Sequence, residues 1–517
     1  MLPGIGSRQI IIYFYEVFEA FLSFTSLSYY GIIIFVLKCN FNKTRRDHML
    51  TYNLENENNL PKYIYLYQLI RDDIINGKLK EGERLPSKRS LATHLNVGNI
   101  TVANAYDQLA AEGYIYTKER KGYFVQKDIG RLGSVPARDE IPHSEEEKEH
   151  EFFADLNANR INLNLFPRSV WNQLMRQTLD QKNETLYRTI PYNGLPALRE
   201  AIAEYLRSHR GMQVNPSQII IGAGTEYLYG RLAQMFGRAC TFGFEDPGYK
   251  TLASLDTSYG SPSTFVPTDD KGLMIDALEE SGADVVHVSP ANHFPTGTIM
   301  PVARRSELLE WAYKVKKRYI IEDDYDSEFH YKGTYISPLY TADNQEKVIY
   351  MNTFSKTMVP ALRISYMVLP MKLLQRYKDT LSFYSCSVSS FEQHTLAKFI
   401  SEGYFERHIN RLKTYYSNLR KNLLEAIKTS KLSSISQVVE HGSGTHLLLY
   451  VHTAISEEEI IAAKDKLDIQ FQMYSYYSIR KPTSSDPRIL VINYAGINTD
   501  KLPDMISRLE KLFPECR

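Results

Sequence analysis

The stretch Asn352-Thr353-Phe354-Ser355-Lys356, continued by Val359-Pro360-Ala361-Leu362-Arg363, decides how this chain is read. Upstream of it lies the run Ile320-Ile321-Glu322-Asp323-Asp324-Tyr325. A lysine amine can condense with an aldehyde to form a Schiff base. A carboxylate at the end of a hydrophobic strand can hold a ring nitrogen protonated, so that the ring accepts electrons. An arginine fork can grip a phosphate through paired, charge-assisted hydrogen bonds. Taken alone, a lysine after a serine is equally well a surface residue at a helix start, so the case rests on further pieces in order.

Those pieces are present. Ile219-Ile220-Ile221-Gly222-Ala223-Gly224-Thr225-Glu226 reads as a strand running through a small-residue turn into a helix. Such a turn lets backbone N–H groups and a hydroxyl approach a phosphate. Phe244-Glu245-Asp246-Pro247-Gly248-Tyr249 puts an aromatic ring just after a strand, and Ser289-Pro290-Ala291-Asn292-His293-Phe294-Pro295-Thr296-Gly297 is a turn at another strand end. From about Phe152 onward, strand-like runs (218–221, 284–288, 319–321, 348–351, 364–368) alternate with helix-like ones (197–206, 227–236, 304–317). This predicts an α/β body with a mostly parallel sheet, helices on both faces, and ligands at the strand carboxyl ends. A long helix after about Ala397, then strands over 445–451 and 488–492, predict a smaller α+β domain at the C-terminus.

This constellation is similar to the fold-type I aminotransferases, from about Asn162 to the end. The resemblance implies pyridoxal phosphate as cofactor. It implies Lys356 as the Schiff-base residue, Asp323 as partner of the pyridine nitrogen, Tyr325 on the phenolic oxygen and Tyr249 stacked on the ring. Gly224, Thr225, Thr353 and Arg363 would hold the phosphate, and Asn292 would stand near the ring. Tyr192, in Pro191-Tyr192-Asn193-Gly194, would reach the cofactor of a partner subunit. Asp324 competes for the nitrogen; Asp323 is preferred because it keeps the spacing to Tyr325. Two departures count against ordinary transamination. Phe294 stands before Pro295-Thr296-Gly297, where the enzymes carry Asn. Val491 stands in register with Ala495-Gly496, where many carry an Arg for a substrate carboxylate, and the nearby Arg480 and Arg488 have no fixed register.

A second module precedes the body. Ile64, Leu66, Leu69, Ile70, Ile74 and Ile75 form a helical stripe that ends at Asn76-Gly77. Ser87 can cap a second helix bearing Leu91, Ala92 and Leu95, and Asn99 can cap a third bearing Val102, Ala105, Tyr106 and Leu109. Tyr114-Ile115-Tyr116 and Tyr123-Phe124-Val125 flank the basic tip Lys118–Gly122, which predicts a hairpin. Three helices and a hairpin make a winged helix-turn-helix. The segment resembles the GntR regulators. That implies phosphate contacts from Ser87, Lys88 and Arg89, base-edge contacts from Asn99, Thr101 and Asn104, and wing contacts from Arg120 and Lys121. Residues 61–127 hold 11 Lys and Arg against 7 Asp and Glu, an excess of 4. The family's usual Ser-Arg stands here as Gly98-Asn99, and its following Arg as Ala103, so weaker or differently targeted DNA binding is expected.

Bulk composition adds little. The 517 residues carry a formal net charge of +1, which makes no case for nucleic acid by itself. The four cysteines, Cys39, Cys240, Cys386 and Cys516, are scattered with no pair at metal spacing, so no metal and a reducing, cytoplasmic setting are expected. Ala20–Leu37 is uncharged, and Lys38, Lys43, Arg45 and Arg46 follow it. Either this is a marginal membrane span, or the natural start is Met49 and residues 1–48 are upstream sequence. The expected layout is an extension over 1–60, a DNA-binding head over 61–128, an acidic linker over 129–151 and the body over 152–517.

A GntR-like head joined to an aminotransferase-like body is the layout of the MocR/GabR regulators, with NorG-type regulators the nearest expected group. The resemblance implies a double-stranded DNA operator, a head-to-tail homodimer, and an amine or amino-acid effector sensed through the Lys356 aldimine. A working aminotransferase with an accessory head is the alternative, and a membrane-tethered sensor would follow if residues 20–37 were genuine.

Overall fold

The computed structural model describes residues 49–54, 60–127, 150, 152–157, 160–180, 184–331, 336–480 and 486–516. The expectations for residues 20–37 and for nearly all of the linker fall outside them. The chain divides into two compact units, parting between residues 148 and 149. Among the described residues no helix is long and apolar enough to cross a membrane.

In the first unit, α1 (Lys62–Ile75) buries Leu66, Ile70 and Ile74, one stripe at fourfold spacing, and stops at Asn76 with Gly77 at φ +72°. Helix α2 (Lys88–His94) is capped by Ser87, whose hydroxyl accepts the Ser90 N–H at 3.1 Å. Helix α3 (Asn99–Ala111) buries Val102, Ala105, Tyr106 and Leu109. Its cap is Gly98, not Asn99 as expected, and no side chain caps it. Both residues can cap, and the buried stripe Val102, Ala105, Tyr106 and Leu109 sets the start that leaves Asn99 in the first turn. Strands β1 (Ile115–Lys118) and β2 (Gly122–Val125) pair antiparallel from Ile115↔Val125 to Lys118↔Gly122. The tip residue Arg120 takes φ +57°. The Tyr106 hydroxyl donates to the Pro86 carbonyl at 3.0 Å, tying α3 to the entry of α2.

The second unit is built on an eight-stranded sheet. In chain order its strands are β3 (Ile219–Gly222), β4 (Phe242–Asp246), β5 (Ser263–Asp269), β6 (Gly272–Leu273), β7 (Val285–Val288), β8 (Tyr319–Asp323), β9 (Val348–Thr353) and β10 (Ser365–Val368). They lie in the order β3-β10-β9-β8-β7-β4-β5-β6. The ladders β9–β8, β8–β7, β7–β4 and β4–β5 are parallel, while β10 runs antiparallel to both β9 and β3. The carboxyl ends of β3, β4, β7, β8 and β9 therefore share one edge. Strands β3, β7 and β9 are buried along their whole length, as mainly apolar strands are when helices cover both faces. Helices α4 (Pro196–Arg210), α5 (Thr225–Phe236) and α6 (Val302–Lys314) are among those that do so.

A 26-residue helix, α7 (Tyr404–Thr429), leads into a four-stranded antiparallel sheet. Its strands β11 (Ser436–Val439), β12 (His446–Val451), β13 (Gln472–Met473) and β14 (Arg488–Asn493) lie in the order β11-β12-β14-β13. The register of β12 against β14 sets His446 opposite Asn493.

Candidate functional site

The acidic run at the end of β8 sends its carboxylates in different directions, because successive strand residues face opposite sides of a sheet. Glu322 is fully buried and accepts the Leu339 and Tyr340 N–H groups at 2.6 and 2.8 Å. Burial and the nearby Asp324 charge push it up to about 7. Asp324 is also buried, pairs with Arg210, and accepts the Tyr350 hydroxyl at 2.7 Å. Asp323 faces the other way, into a cavity of about 200 Å³ at the shared strand edge. Behind it, His287 of β7 brings Nε2 to 3.4 Å from its Oδ2.

Lys356 follows β9 and lines the same cavity. Burial lowers its amine to about 8, with Asp326 and Asp323 pulling the other way. An amine so placed is neutral, and hence nucleophilic, at a far lower pH than an exposed lysine. Tyr325 also lines the cavity. Its hydroxyl donates to the Asn292 carbonyl at 3.1 Å and accepts from Asn292 Nδ2 at 3.2 Å. Asn292 stands behind the wall rather than in it, its amide also bonded to the Asp326 carboxylate at 2.8 and 3.0 Å.

The far end of the cavity is polar and small. Thr225 opens α5, and Thr353 Oγ1 accepts from Ser365 Oγ at 2.8 Å and donates to Ser355 Oγ at 3.1 Å. Arg363, held at φ +48° by the turn after Pro360–Leu362, donates to Glu226 at 2.8 Å. Gly224 takes φ +96°, a conformation that L side chains rarely adopt, so glycine suits the close approach to this guanidinium. Tyr249 supplies an aromatic wall, with Gly248 bonded to the Tyr477 carbonyl at 2.9 Å.

Of the residues expected at the site, the cavity thus brings together Thr225, Tyr249, Asp323, Tyr325, Thr353, Lys356 and Arg363. Gly224 and Asn292 stand one layer back. Tyr192 is not in this wall; its ring packs on Tyr377 with centroids 6.0 Å apart. Neither Arg480 nor Arg488 lines the cavity. Arg480 ion-pairs with Asp486 at 3.8 Å, and Arg488 donates to the Ile455 carbonyl at 3.0 Å. Val491 is buried in an apolar cluster with Leu448, Tyr477 and Phe294.

Sequence reasoning missed His287, Ser289, Glu245, Thr445, His446 and Asn493, all cavity residues. A lone histidine in an apolar strand carries no local signal, and His446 and Asn493 meet only through strand register. Glu245 is buried and pushed up to about 8, with the Ser289 N–H at 3.2 Å acting against the shift. His293 lies 3.5 Å from it and is driven down to about 3 by burial. At neutral pH that contact joins a protonated carboxyl to a neutral imidazole.

In the head, Ser87 spends its hydroxyl on the cap, and Lys88 is tied to Asp107 at 2.8 Å across the Tyr123 ring. Arg89, Asn99, Asn104, Arg120 and Lys121 are exposed, and Thr101 is half-buried.

The donor set of the cavity fits pyridoxal phosphate. One end offers hydroxyls, a helix start and a guanidinium for a phosphate. The other offers a buried amine for an aldehyde and a carboxylate for a ring nitrogen, and an aromatic wall stands beside them. Comparison with known proteins agrees. The aminotransferase class I and II family matches residues 106–509, and the bacterial regulatory proteins of the gntR family match residues 62–125. The chain is 36% identical over 452 residues to the uncharacterized HTH-type transcriptional regulator YdeL of Bacillus subtilis, covering 87% of this chain and 96% of that protein. It is 29% identical to the probable rhizopine catabolism regulatory protein MocR of Rhizobium meliloti, over 89% of this chain and 95% of that one. The fold matches an archaeal alanine:glyoxylate aminotransferase with a TM-score of 0.63 at 22% identity, over 71% of this chain and 92% of that one. The chain belongs to the MocR-type family of HTH transcription regulators, in which a GntR winged helix heads an aminotransferase class I and II body whose cofactor is pyridoxal phosphate.

Proposed function

We propose that this regulator senses an amine or amino acid at the Lys356 cavity and converts its arrival into altered DNA binding by the head. Residues 61–128 would be the DNA-binding head, 129–151 the linker and 152–517 the sensing body, working in the cytoplasm as a head-to-tail homodimer. When bound, pyridoxal phosphate supplies an aldehyde that primary amines can join. Lys356 would hold it, Asp323 would keep its ring nitrogen protonated with His287 behind, and Tyr325 would bond its phenolic oxygen. Tyr249 would cover the ring; Thr225, Thr353 and Arg363 would take the phosphate, and Tyr192 would serve the partner subunit. An effector amine would compete with Lys356 for that aldehyde. Lys356, once released, would take up the proton that the effector's ammonium gives up on joining the aldehyde, and stand charged next to Asp326 and Asp323. A charge created in a buried site gives the body two states of different energy for a ligand to choose between.

The observation that carries this reading is the buried Lys356 amine, lowered to about 8 in a cavity it shares with Asp323, on a chain that begins with a winged helix. The test uses the full chain loaded with pyridoxal phosphate. Borohydride reduction and peptide mapping should place the cofactor mass on Lys356. Anisotropy of a labelled duplex, chosen by the protein from a random pool, should shift with one class of amine. That shift should vanish in Lys356→Ala. A cofactor mass on another lysine, or a panel of amines and amino acids without effect, overturns the proposal. Steady turnover of an amino acid with a keto acid would favour an enzyme instead. Against that stands Val491, an apolar residue where a carboxylate-binding arginine is expected.

A further inference from the structure

The first two turns of the outward side of α3 are uncharged and partly apolar, and the exposed Asp107 follows in the next turn, paired with Lys88 at 2.8 Å. Helix α3 contains no Lys, Arg or His. Its outward side carries Asn99, Ile100, Ala103 and Asn104 in two successive turns. Ile100 is 77% exposed. Asn99 is exposed in the first turn, with Gly98 and not Asn99 as the cap residue. Exposed cations stand on the neighbouring elements instead: Arg89 near the start of α2, and Arg120 and Lys121 on the wing. Lys88 is less available, being paired with Asp107 at 2.8 Å. Neutral centre and cationic flanks complement a base-pair edge between two phosphate backbones.

The major groove tells bases apart by donor and acceptor pattern. Guanine's O6 and N7 are two acceptors, and the side chains that grip both are Arg and Lys. Adenine's N7 and N6 are an acceptor and a donor, matched by the amide of Asn or Gln. Thymine offers a methyl group, matched by an apolar side chain. Two asparagines and an isoleucine on the first two turns of α3 offer no guanine reader, and the nearby Lys88 is tied to Asp107. We propose that the head specifies A·T pairs by direct major-groove contact, with Asn99 and Asn104 on adenine edges and Ile100 on a thymine methyl. The inference rests on the head binding duplex DNA with α3 in the major groove.

The full chain, loaded with pyridoxal phosphate, is used to select duplexes from a randomised pool. Required positions in each half-site should be A·T pairs. Replacing thymine by uracil at those positions deletes only the methyl, and 7-deazaadenine deletes only the N7 acceptor. Uracil should weaken wild-type binding roughly four-fold, the worth of one buried methyl, and 7-deazaadenine roughly two- to 13-fold, the worth of one hydrogen bond. The uracil effect should disappear in Ile100→Ala, and the 7-deazaadenine effect in Asn104→Ala or Asn99→Ala. These side chains are exposed, so the variants keep the fold, checked by an unchanged circular dichroism melt. Required G·C pairs at contacted positions overturn the inference. So does wild-type affinity untouched by both base analogues, which would mean that the A·T content is read through DNA shape. A pool from which nothing is retained removes the DNA-binding reading itself, an outcome distinct from either.

Discussion

At Lys356 the balance of two opposed effects sets the chemistry. Burial favours the neutral amine, two carboxylates favour the ammonium, and burial wins, leaving the group at about 8. Only the neutral amine attacks an aldehyde, so attachment of pyridoxal phosphate should accelerate as pH rises and level off above about pH 8. Stopped-flow absorbance measures this; a rate independent of pH through that range contradicts it. Glu245 makes the opposite kind of prediction. Its folded value, about 8, lies above that of the unfolded carboxylate. Stability tied to its proton is therefore complete at low pH and is lost as pH climbs from the ordinary carboxylate range to about 8. Glu245→Gln keeps an acceptor for the Ser289 N–H and has no proton to lose. Without cofactor, its melting temperature should equal the parent's in acid, exceed it increasingly up to about pH 8, and hold that margin beyond. An advantage that shrinks with rising pH would refute the assignment.

Among the elements, α2 shows how much one hydroxyl can matter. It spans only seven residues, too few to stand without tertiary contacts, and Ser87 satisfies one of its open N–H groups. Ser87→Ala should cost the head about 1 kcal/mol. The body provides an internal control, because both tryptophans, Trp171 and Trp311, lie in it. Urea unfolding followed by tryptophan fluorescence should be unchanged in the variant, while the head's share of the circular dichroism signal shifts to lower urea. Equal shifts in both signals would place the effect elsewhere. The third helix was legible from its apolar spacing, but its cap was not: Gly98 and Asn99 are both good capping residues. Packing of Val102, Ala105, Tyr106 and Leu109 decides which one starts the helix.

For the molecule as a whole, a division into two compact units predicts that a ligand of the body stabilises the body alone. Pyridoxal phosphate at a hundred times its dissociation constant should add about 2.7 kcal/mol to the unit it binds. Its thermal transition by tryptophan fluorescence should rise, and the remaining circular dichroism transition, from the head, should not. Coincident rises in both would mean that the units unfold as one. The amino-acid order by itself determined the two modules and the alternation of strands and helices, because each rests on periodicity or on a short contiguous motif, and it singled out Lys356 as the candidate reactive lysine. It also named seven residues that the cavity brings together. The sequence preferred Asp323 to Asp324, and the tertiary structure supplied the reason, since Asp324 is spent on Arg210 and Tyr350. Tertiary structure alone brought in His287, Glu245, His446 and Asn493, and left Arg480 and Arg488 outside. The physical reason is that side-chain direction at a strand end, and meetings between strands far apart in sequence, are set by sheet register and by the burial of partners such as Arg210 and Tyr350. No local stretch of the chain encodes them.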